Sequence, residues 1–297
     1  MRVLVSGGSG MLGTALRLAL VERGAYVLQL VRGRPETEGQ IAWNATGMMV
    51  GPERLEGCEA AIHLSGANVA AHRWTAAYKK EIASSRVDST RALAKVLAGL
   101  REPPRTLLVA SAVGIYGDRG NAVLDEDSAA GEGFLADVCK QWEAAAQLAE
   151  DAGIRVVHLR FGVVLGKGPG ALEKMLPVFR MGLGGKLGSG RQWMSWVSLE
   201  DVVRATLFAL DRPELAGAVN VTAPQPVTNA EFTRVLARQL HRPAVMTAPA
   251  FALRLALGEM ADEALLSSAR AVPKKLVEAG FVFKHETVEG ALAAALR

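Results

Sequence analysis

The sequence predicts an α/β protein built on a doubly wound parallel sheet, with a smaller, mostly helical C-terminal lobe. Three features lead to this fold class. Short apolar segments alternate with segments of helical periodicity, as a parallel sheet with crossover helices requires. The first junction between strand and helix is a cluster of glycines. The tail from Pro243 is mostly helical and apolar, and prolines interrupt it.

The individual elements follow from the apolar runs and their periodicity. The first strand begins with the chain and ends in the glycine cluster. Later strands are expected at residues 25–31, 40–43, 60–67, 106–111 and 155–160. Helices are expected at residues 11–23, 78–99 and 134–151.

The glycine cluster is typical of a dinucleotide-binding turn. Its spacing fits G-x-x-G-x-x-G from Gly7 and G-x-G-x-x-G from Gly8. The first glycine allows a tight turn, the middle one lets backbone N–H groups approach a pyrophosphate, and the last lets helix and strand pack closely. The helix N-terminus adds partial positive charge. The pattern therefore predicts a Rossmann turn whose cofactor-binding residues are Gly7, Gly10, Met11, Leu12 and Gly13.

The residue after the second strand indicates which dinucleotide binds. An Asp or Glu about twenty residues past the glycines binds the ribose 2′-hydroxyl of NAD. Arg32 stands at this place with Arg34 nearby, and Glu36 and Glu38 lie too far along to replace the carboxylate. A guanidinium suits a 2′-phosphate, so Arg32 favours NADP(H) as the cofactor. The alternative is a solvated loop arginine.

Small residues at two further strand ends extend the predicted site. Open α/β sheets bind their ligands at the carboxyl ends of the strands. The fourth strand ends in Leu64, Ser65 and Gly66, which we expect beside the cofactor, and the fifth ends at Ser111.

Composition limits the class of protein. Half of the 297 residues are hydrophobic (50%), and the net charge of +4 comes from scattered basic residues, which disfavours nucleic acid as a partner. No apolar stretch reaches membrane-spanning length, and no targeting peptide precedes the first strand. Cys58 and Cys139 are far apart and lack metal-ligand spacing, so we expect no metal site and a reducing compartment. We expect a cytoplasmic protein with a small-molecule substrate and no membrane partner, and a homodimer is a possible assembly.

The pattern changes after Gly162 and divides the chain. Five glycines within residues 182–190 predict a flexible arm, and Ser198 and Thr228 each begin a helix with a capping box. We expect an NADP-binding domain formed by residues 1–165 plus 198–223, and a substrate lobe formed by residues 166–197 plus 224–297.

Longer motifs accompany the glycine turn. They lie at residues 64–67, 84–87, 111–117, 142–145, 159–166, 188–193, 196–202 and 258–260. Through them the chain resembles the extended short-chain dehydrogenases/reductases, which include nucleotide-sugar epimerases and dehydratases. It is most similar to their atypical subgroup of epimerase family proteins, whose bacterial members carry labels such as cell-division inhibitor or sugar-nucleotide epimerase. The resemblance covers essentially the whole chain and implies a Rossmann fold with a nicotinamide cofactor.

The chain departs from this resemblance at the catalytic serine. Extended members carry a serine after the fifth strand and a Tyr-x-x-x-Lys on the next helix. The tyrosine is the acid/base, and the lysine lowers its pKa and holds the nicotinamide ribose. Aligning Tyr116 with the Tyr-Gly step of the family puts Ala112 at the serine position and Ser111 one residue early.

Two alignments of the following helix leave no tyrosine at the acid/base position. With Lys140 as the family lysine, Ala136 takes the place of the tyrosine, and with Cys139 as the lysine, Leu135 takes that place. No tyrosine follows Tyr116 in the chain. The usual acid/base is therefore missing.

Three residues are the candidates for catalysis: Ser111, Tyr116 and Lys140. Tyr116 would protonate the substrate, unless it only packs near the cleft. Lys140 would hold the cofactor ribose, unless it is an exposed helix lysine.

Arg86 is a further candidate ligand of the cofactor. The resemblance places it where extended members have a helix asparagine that faces the cleft, so its guanidinium would reach the cofactor or a substrate anion. The alternative is a surface ion pair with Glu81 or Asp88. Cys139 and His63 are better explained as core residues than as a nucleophile and a base.

Two functions stay open. The first is NADP(H)-dependent oxidoreductase or epimerase chemistry on a small polar substrate, either nucleotide-linked or free. The second is a binding protein that senses NADPH and acts through a partner without turnover, which the missing serine and tyrosine favour.

Overall fold

The computed structural model describes residues 1–44 and 51–297. Their strands, in chain order, are β1 (Arg2–Ser6), β2 (Tyr26–Val31), β3 (Gln40–Ala42), β4 (Ala60–His63), β5 (Thr106–Ala112), β6 (Val123–Leu124), β7 (Arg155–Phe161), β8 (Val163–Leu165), β9 (Gly185–Leu187), β10 (Trp193–Met194), β11 (Trp196–Ser198), β12 (Gly217–Val221), β13 (Val227–Thr228), β14 (Met246–Ala248) and β15 (Arg270–Ala271).

The helices of the same residues are α1 (Met11–Glu22), α2 (Ala76–Ala98), α3 (Phe134–Ala144), α4 (Gln147–Asp151), α5 (Ala171–Arg180), α6 (Leu199–Asp211), α7 (Asn229–Gln239), α8 (Ala250–Leu257), α9 (Lys274–Glu278) and α10 (Val288–Leu296). Single 3₁₀ turns lie at Pro52–Leu55 and Val113–Tyr116, and a π-helical turn follows α8 at Ala261–Leu266.

Seven strands form one parallel sheet in the order β12-β7-β5-β4-β1-β2-β3. Helices cover both faces, and this is why its strands are apolar at most positions. On one face Val5 packs with Leu16 of α1 and Ala205 of α6. On the other face Leu4 packs with a cluster from α2 and α3 that includes Trp142. The doubly wound Rossmann fold predicted from the sequence is confirmed.

The predicted strands and helices of this half are present, with two differences. The fourth strand ends at His63 rather than at residue 67, because its neighbour β1 ends at Ser6, the last residue paired with it. The helix predicted at residues 134–151 is interrupted at Ala145 and Ala146, whose small side chains are buried in the core. Ser198 and Thr228 are the N-caps of α6 and α7, since their side chains accept hydrogen bonds from the N–H groups of Asp201 and Glu231, which is the N-cap half of each predicted capping box.

The glycine-rich segment at residues 182–190 is not the flexible arm that the sequence predicts. It forms β9, which pairs with β14. A Cβ on Gly185 would lie 2.0 Å from the carbonyl oxygen of Met246. The glycines therefore allow close packing of two strands, a role that composition alone does not distinguish from flexibility.

The C-terminal part of the chain builds a third apolar cluster. Its buried members include Phe179 of α5, Trp196 of β11, Phe232 of α7 and Leu292 of α10. The division of the chain into an NADP-binding domain and a substrate lobe stays a prediction.

Two buried or half-buried carboxylates tie the tail to the rest of the fold. Asp201, at the start of α6, accepts hydrogen bonds from the backbone N–H groups of Lys284 (2.8 Å) and His285 (2.9 Å). Glu263 accepts from the N–H groups of Phe134 and Leu135, both at 3.1 Å, at the start of α3. The helix N-terminus favours this negative charge.

His63 is fully buried in a chain of polar groups between β1, β4 and α2. Its Nδ1 lies 2.5 Å from the Ser6 hydroxyl, and its Nε2 lies 3.1 Å from the hydroxyl of Ser89. Ser89 in turn donates to the carbonyl of Ser85, which leaves its oxygen free to accept from Nε2–H. Burial lowers the pKa of His63 from 6.5 to about 3, so the ring is neutral. His63 is therefore a core residue, as predicted.

The neutral ring of His63 predicts a pH-dependent loss of stability. Between pH 6.5 and about 3 the unfolded chain binds a proton at His63 that the folded chain does not bind. This group therefore lowers the free energy of unfolding by ~1.4 kcal/mol for each pH unit below the unfolded pKa. Chemical denaturation of His63→Gln across this range should show a shallower slope than the native protein. An imidazole Hε1 resonance of His63 that titrates near pH 6.5 would contradict the assignment.

Candidate cofactor-binding and active site

The glycine turn brings three backbone segments into contact at the edge of the sheet. Gly7 has a φ of +70°, and a Cβ there would lie 2.7 Å from the carbonyl carbon of Leu64 and 2.9 Å from the nitrogen of Ser65. A Cβ on Gly13 would lie 2.2 Å from the carbonyl oxygen of Gly7. Because no side chain fits at either position, β1, α1 and the end of β4 can pack this closely.

The turn leaves room for a ligand at Gly10. A Cβ there would have only the Gly7 carbonyl oxygen near it, at 3.6 Å. Gly10 also precedes α1 without any side-chain cap, so the N–H groups of the first turn, at Met11 and Leu12, have no side-chain acceptor. Gly8 has neither a positive φ nor backbone contacts of this kind. The geometry follows G-x-x-G-x-x-G, and the cradle fits a pyrophosphate.

Arg32 lies at the end of β2, next to Val31, and is exposed. Arg34 is exposed as well. Within residues 1–44 and 51–297 neither side chain has an ion-pair partner. Gln29, inside β2, already has a hydrogen-bond partner, because Arg17 donates to its side-chain oxygen at 2.8 Å. Arg32 is therefore available to a ribose phosphate at the position that the sequence predicts.

Arg86 reaches the end of β4 from α2. Its guanidinium donates to the carbonyls of Ala67 (2.9 Å) and Ile82 (3.0 Å) and lies 5.1 Å from the ring of Trp142. A Cβ on Gly66 would touch it at 3.3 Å. Burial lowers the pKa of Arg86, but the group stays a cation.

Arg86 does not form the surface ion pair with Glu81 or Asp88 that is the predicted alternative. Asp88 pairs with Arg91 instead, and no ion pair joins Arg86 to Glu81 among the residues that the structure describes. Two hydrogen bonds leave the remaining N–H groups of the guanidinium for a ligand.

A buried polar network joins α3, β5 and β7 below the carboxyl end of the sheet. Glu143 of α3 receives two bonds of 2.8 Å from Arg160 of β7. The Ser111 hydroxyl donates to Glu143 at 2.7 Å. Arg160 also donates to the Tyr116 hydroxyl at 3.0 Å, and that hydroxyl contacts the side-chain oxygen of Asn220 at 2.8 Å. One network thus contains both hydroxyls predicted for catalysis.

Within the network, Glu143 and Arg160 form a closed ion pair, in which each buried charge is neutralised by the other. Burial alone would raise the pKa of Glu143, but the hydrogen bonds and charge of Arg160 hold that pKa below its usual value. Burial likewise opposes the charge of Arg160, and Glu143 raises its pKa in spite of it. Burial raises the pKa of Tyr116, which is 0% exposed. Tyr116 is therefore a neutral hydroxyl without access to a ligand.

The structure does not bring Lys140 to this network. Its ammonium pairs with Asp137 at 2.6 Å on the exposed side of α3. The inward positions of the helix belong to Leu135, which packs at Gly114, and to buried Cys139. The alignment with Cys139 at the family lysine therefore matches the geometry, and the interpretation of Lys140 as the ribose ligand needs correction. Adjacent residues of a helix lie on different faces, and the spacing of the motif alone does not show whether Cys139 or Lys140 faces inward.

Cys139 is not a reactive thiol. Burial raises its pKa to about 12, so the thiolate does not form at neutral pH. It is a packed core residue, as the sequence indicates.

Sequence reasoning missed Glu143 and Arg160. A signal was present, since Arg160 lies between Leu159 and Phe161 in a buried strand, where a charge requires a partner. The partner itself lies 17 residues earlier in the chain, and no sequence pattern indicates it.

Residues 3–222 match the NAD dependent epimerase/dehydratase family. The chain belongs to this family. Residues 248–295 also match a domain of unknown function, DUF1731. Within the described parts of the chain, no helix is long and apolar enough to cross a membrane.

Full-length relatives share the same architecture. An epimerase family protein of Mycobacterium bovis is 45% identical over 290 residues, which cover 98% of this chain and 96% of the relative. The human epimerase family protein SDR39U1, solved with NADPH, is 34% identical with a TM-score of 0.90 over 99% of both chains. MoeE5, solved with UDP-glucuronic acid and NAD, is 21% identical with a TM-score of 0.78 over 100% of this chain and 98% of its own, and it supports the fold alone. The resemblance to atypical epimerase family proteins is confirmed.

The buried ion pair predicts a charge-specific effect on stability. Glu143→Gln keeps the shape of the side chain but leaves Arg160 buried without a counter-charge, which costs about 3–5 kcal/mol. Replacing both residues, as Glu143→Gln with Arg160→Met, should recover much of that loss because no uncompensated charge remains. Urea denaturation of the three variants, including Arg160→Met alone, measures the coupling. A Glu143→Gln protein as stable as the native one would contradict the closed pair.

Proposed function

We propose that this protein binds NADP(H) at the glycine turn and is an oxidoreductase for a small polar substrate. The observation that carries the cofactor assignment is the pair formed by an open cradle at Gly10 and an exposed Arg32 after β2. The NADPH in the human relative supports it. We assign the preference for the phosphorylated nucleotide to Arg32, whose guanidinium suits a 2′-phosphate.

The polar groups around the predicted cofactor site have three different roles. Backbone N–H groups of Met11 and Leu12 would hold the pyrophosphate. Arg86, beside Gly66, would bind a substrate anion or the nicotinamide ribose with the N–H groups that it does not donate to carbonyls. Ser111 and Tyr116 would stabilise the floor of the site through the network of Glu143 instead of exchanging protons with substrate.

Among the described residues, no accessible tyrosine lies at the position of the family acid/base, and this restricts the class of reaction. The bound cofactor supplies or accepts the hydride. Epimerisation of a sugar alcohol also requires a base at the reacting hydroxyl, and the helix position for that base holds Leu135. A hydride acceptor that needs little help from a protein acid is therefore favoured over a nucleotide sugar.

A second function follows from the closed network. A protein that binds NADPH and acts through a partner needs the cradle and Arg32 but no free acid/base, and the hydroxyls of Ser111 and Tyr116 both donate to internal acceptors. Multiple-turnover oxidation of NADPH by the purified protein would separate an enzyme from such a sensor. A cytoplasmic location, a homodimer, and the lack of nucleic-acid and membrane partners stay predictions of the sequence.

Arg32 should set the preference for the cofactor. We expect NADPH to bind at least tenfold more tightly than NADH, a difference of about 1.4 kcal/mol that a charge-assisted bond to the 2′-phosphate supplies. Arg32→Ala should remove this preference and leave NADH affinity unchanged in a fluorescence titration. Gly10→Val, which fills the cradle, serves as the control that binds neither nucleotide. Equal affinities of the native protein for both nucleotides would refute the assignment.

Nucleotide sugars should turn over poorly. General acid–base assistance contributes about 10²–10⁴-fold, and Tyr116 cannot supply it from its buried position. We expect no measurable epimerisation of UDP-glucose in the presence of NADP(H). Tyr116→Phe should lower the thermal midpoint without changing NADPH affinity, because it loses only internal hydrogen bonds. Epimerisation with a kcat of ~1–10³ s⁻¹ that Tyr116→Phe abolishes would show that the tyrosine is catalytic.

A further inference from the structure

A second concave site lies on the C-terminal part of the chain, between α7 and the β9–β14 ladder. We call it the α7 groove, and its volume is ≈ 400 Å³. Small side chains of α7 line it, namely Ala230, Thr233 and Ala237. Its cationic lining residues are Lys186, Arg234, Arg238 and Arg242. It shares no residue with the glycine turn or with the Glu143 network.

The stem of Lys186 in the α7 groove is positioned by packing. A Cβ on Gly190 would touch both the Lys186 stem at 3.1 Å and Ala230 at 3.0 Å, so the lysine stem lies against the start of α7. Lys186 is exposed beyond this stem. Its ammonium has no ion-pair partner among residues 1–44 and 51–297.

Arg242 follows a left-handed backbone residue at the end of α7. His241, the residue before it, has a φ of +53°, and no other non-glycine residue in the described ranges has a positive φ. This turn ends α7 through bonds from His241 N–H to Arg238 and from Arg242 N–H to Ala237. The Nε–H of Arg242 donates to the carbonyl of Arg180 at 2.9 Å. The terminal N–H groups of this guanidinium do not take part in that bond. A left-handed residue with the two backbone bonds from His241 and Arg242 is the ordinary Schellman end of a helix, and it fixes the backbone that carries Arg242.

The charges of the α7 groove are not balanced by its own lining. No carboxylate is among the residues that line it in the described chain. Glu231 approaches Arg234 at 3.9 Å, and both side chains are exposed. Four cations around one concavity repel each other and raise the local concentration of anions. Guanidinium groups also match phosphate oxygens in geometry.

We propose that the α7 groove binds a phosphorylated small molecule of about mononucleotide size. Lys186, Arg238 and Arg242 would hold its phosphates. Val245 and Met246 form an apolar wall for the rest of the molecule, and both are exposed. A volume of ≈ 400 Å³ suits such a ligand, since small-molecule sites have about 300–1,000 Å³.

Inorganic pyrophosphate and ADP are the probes, added to the full chain saturated with NADPH so that the glycine turn is already occupied. Calorimetry at near-physiological salt should show saturable binding of one equivalent. Arg238→Ala and Lys186→Ala should each weaken it more than tenfold, because each removes a charge-assisted contact. Arg91→Ala, which removes another exposed arginine, from α2, should leave it unchanged. NADPH affinity should be the same in all four proteins.

Three results would overturn the proposal. The first is the absence of saturable binding of either probe. The second is an equal loss in Arg91→Ala, which would indicate a diffuse effect of net charge. The third is binding of a poly-glutamate peptide that is tighter than that of pyrophosphate and sensitive to Arg238→Ala, which would identify a docking surface for acidic protein segments. NADPH affinity is measured separately in the same proteins. A failure of the α7 groove to bind the probes is therefore distinguishable from a failure of the glycine turn to bind NADP(H).

Discussion

The ion pair between Glu143 and Arg160 is the interaction on which the floor of the candidate site depends. A buried charge is tolerated only when it is paired and hydrogen-bonded, and this requirement joins α3 to β7. The pair also engages Ser111 of β5 and Tyr116 of the following 3₁₀ turn. Groups that could exchange protons with a substrate are therefore used to keep two buried charges satisfied.

The cofactor half of the site is built differently. Its contacts are made by backbone, because Gly7 and Gly13 allow β1, α1 and the end of β4 to meet without side chains between them. A backbone cradle is insensitive to most substitutions outside its glycines. The chain can therefore keep nucleotide binding while the neighbouring side chains change their chemistry. This separation explains how a chain of the NAD dependent epimerase/dehydratase family has a complete glycine turn although no tyrosine follows Tyr116.

The tail is attached to the cofactor half by carboxylates at helix starts. Glu263 accepts from the first N–H groups of α3, and Asp201 joins the start of α6 to residues 284 and 285. Glu263 satisfies backbone donors that the start of α3 leaves without partners, and Asp201 accepts from two backbone N–H groups that precede α10. The helix that carries Glu143 is thus held at its N-terminus by the tail and near its C-terminus by the sheet, so the arrangement of the site depends on both parts of the chain.

The sequence by itself determined the Rossmann fold, the glycine turn and the place of Arg32, because these depend on local spacing and on apolar periodicity. It also showed that no tyrosine is available after Tyr116. Only the tertiary structure decided that Lys140 faces outward, that the glycines at residues 182–190 pack a strand, and that Glu143 meets Arg160. These facts depend on which helix face turns inward and on contacts between elements, and a one-residue shift in alignment exchanges a buried position for an exposed one.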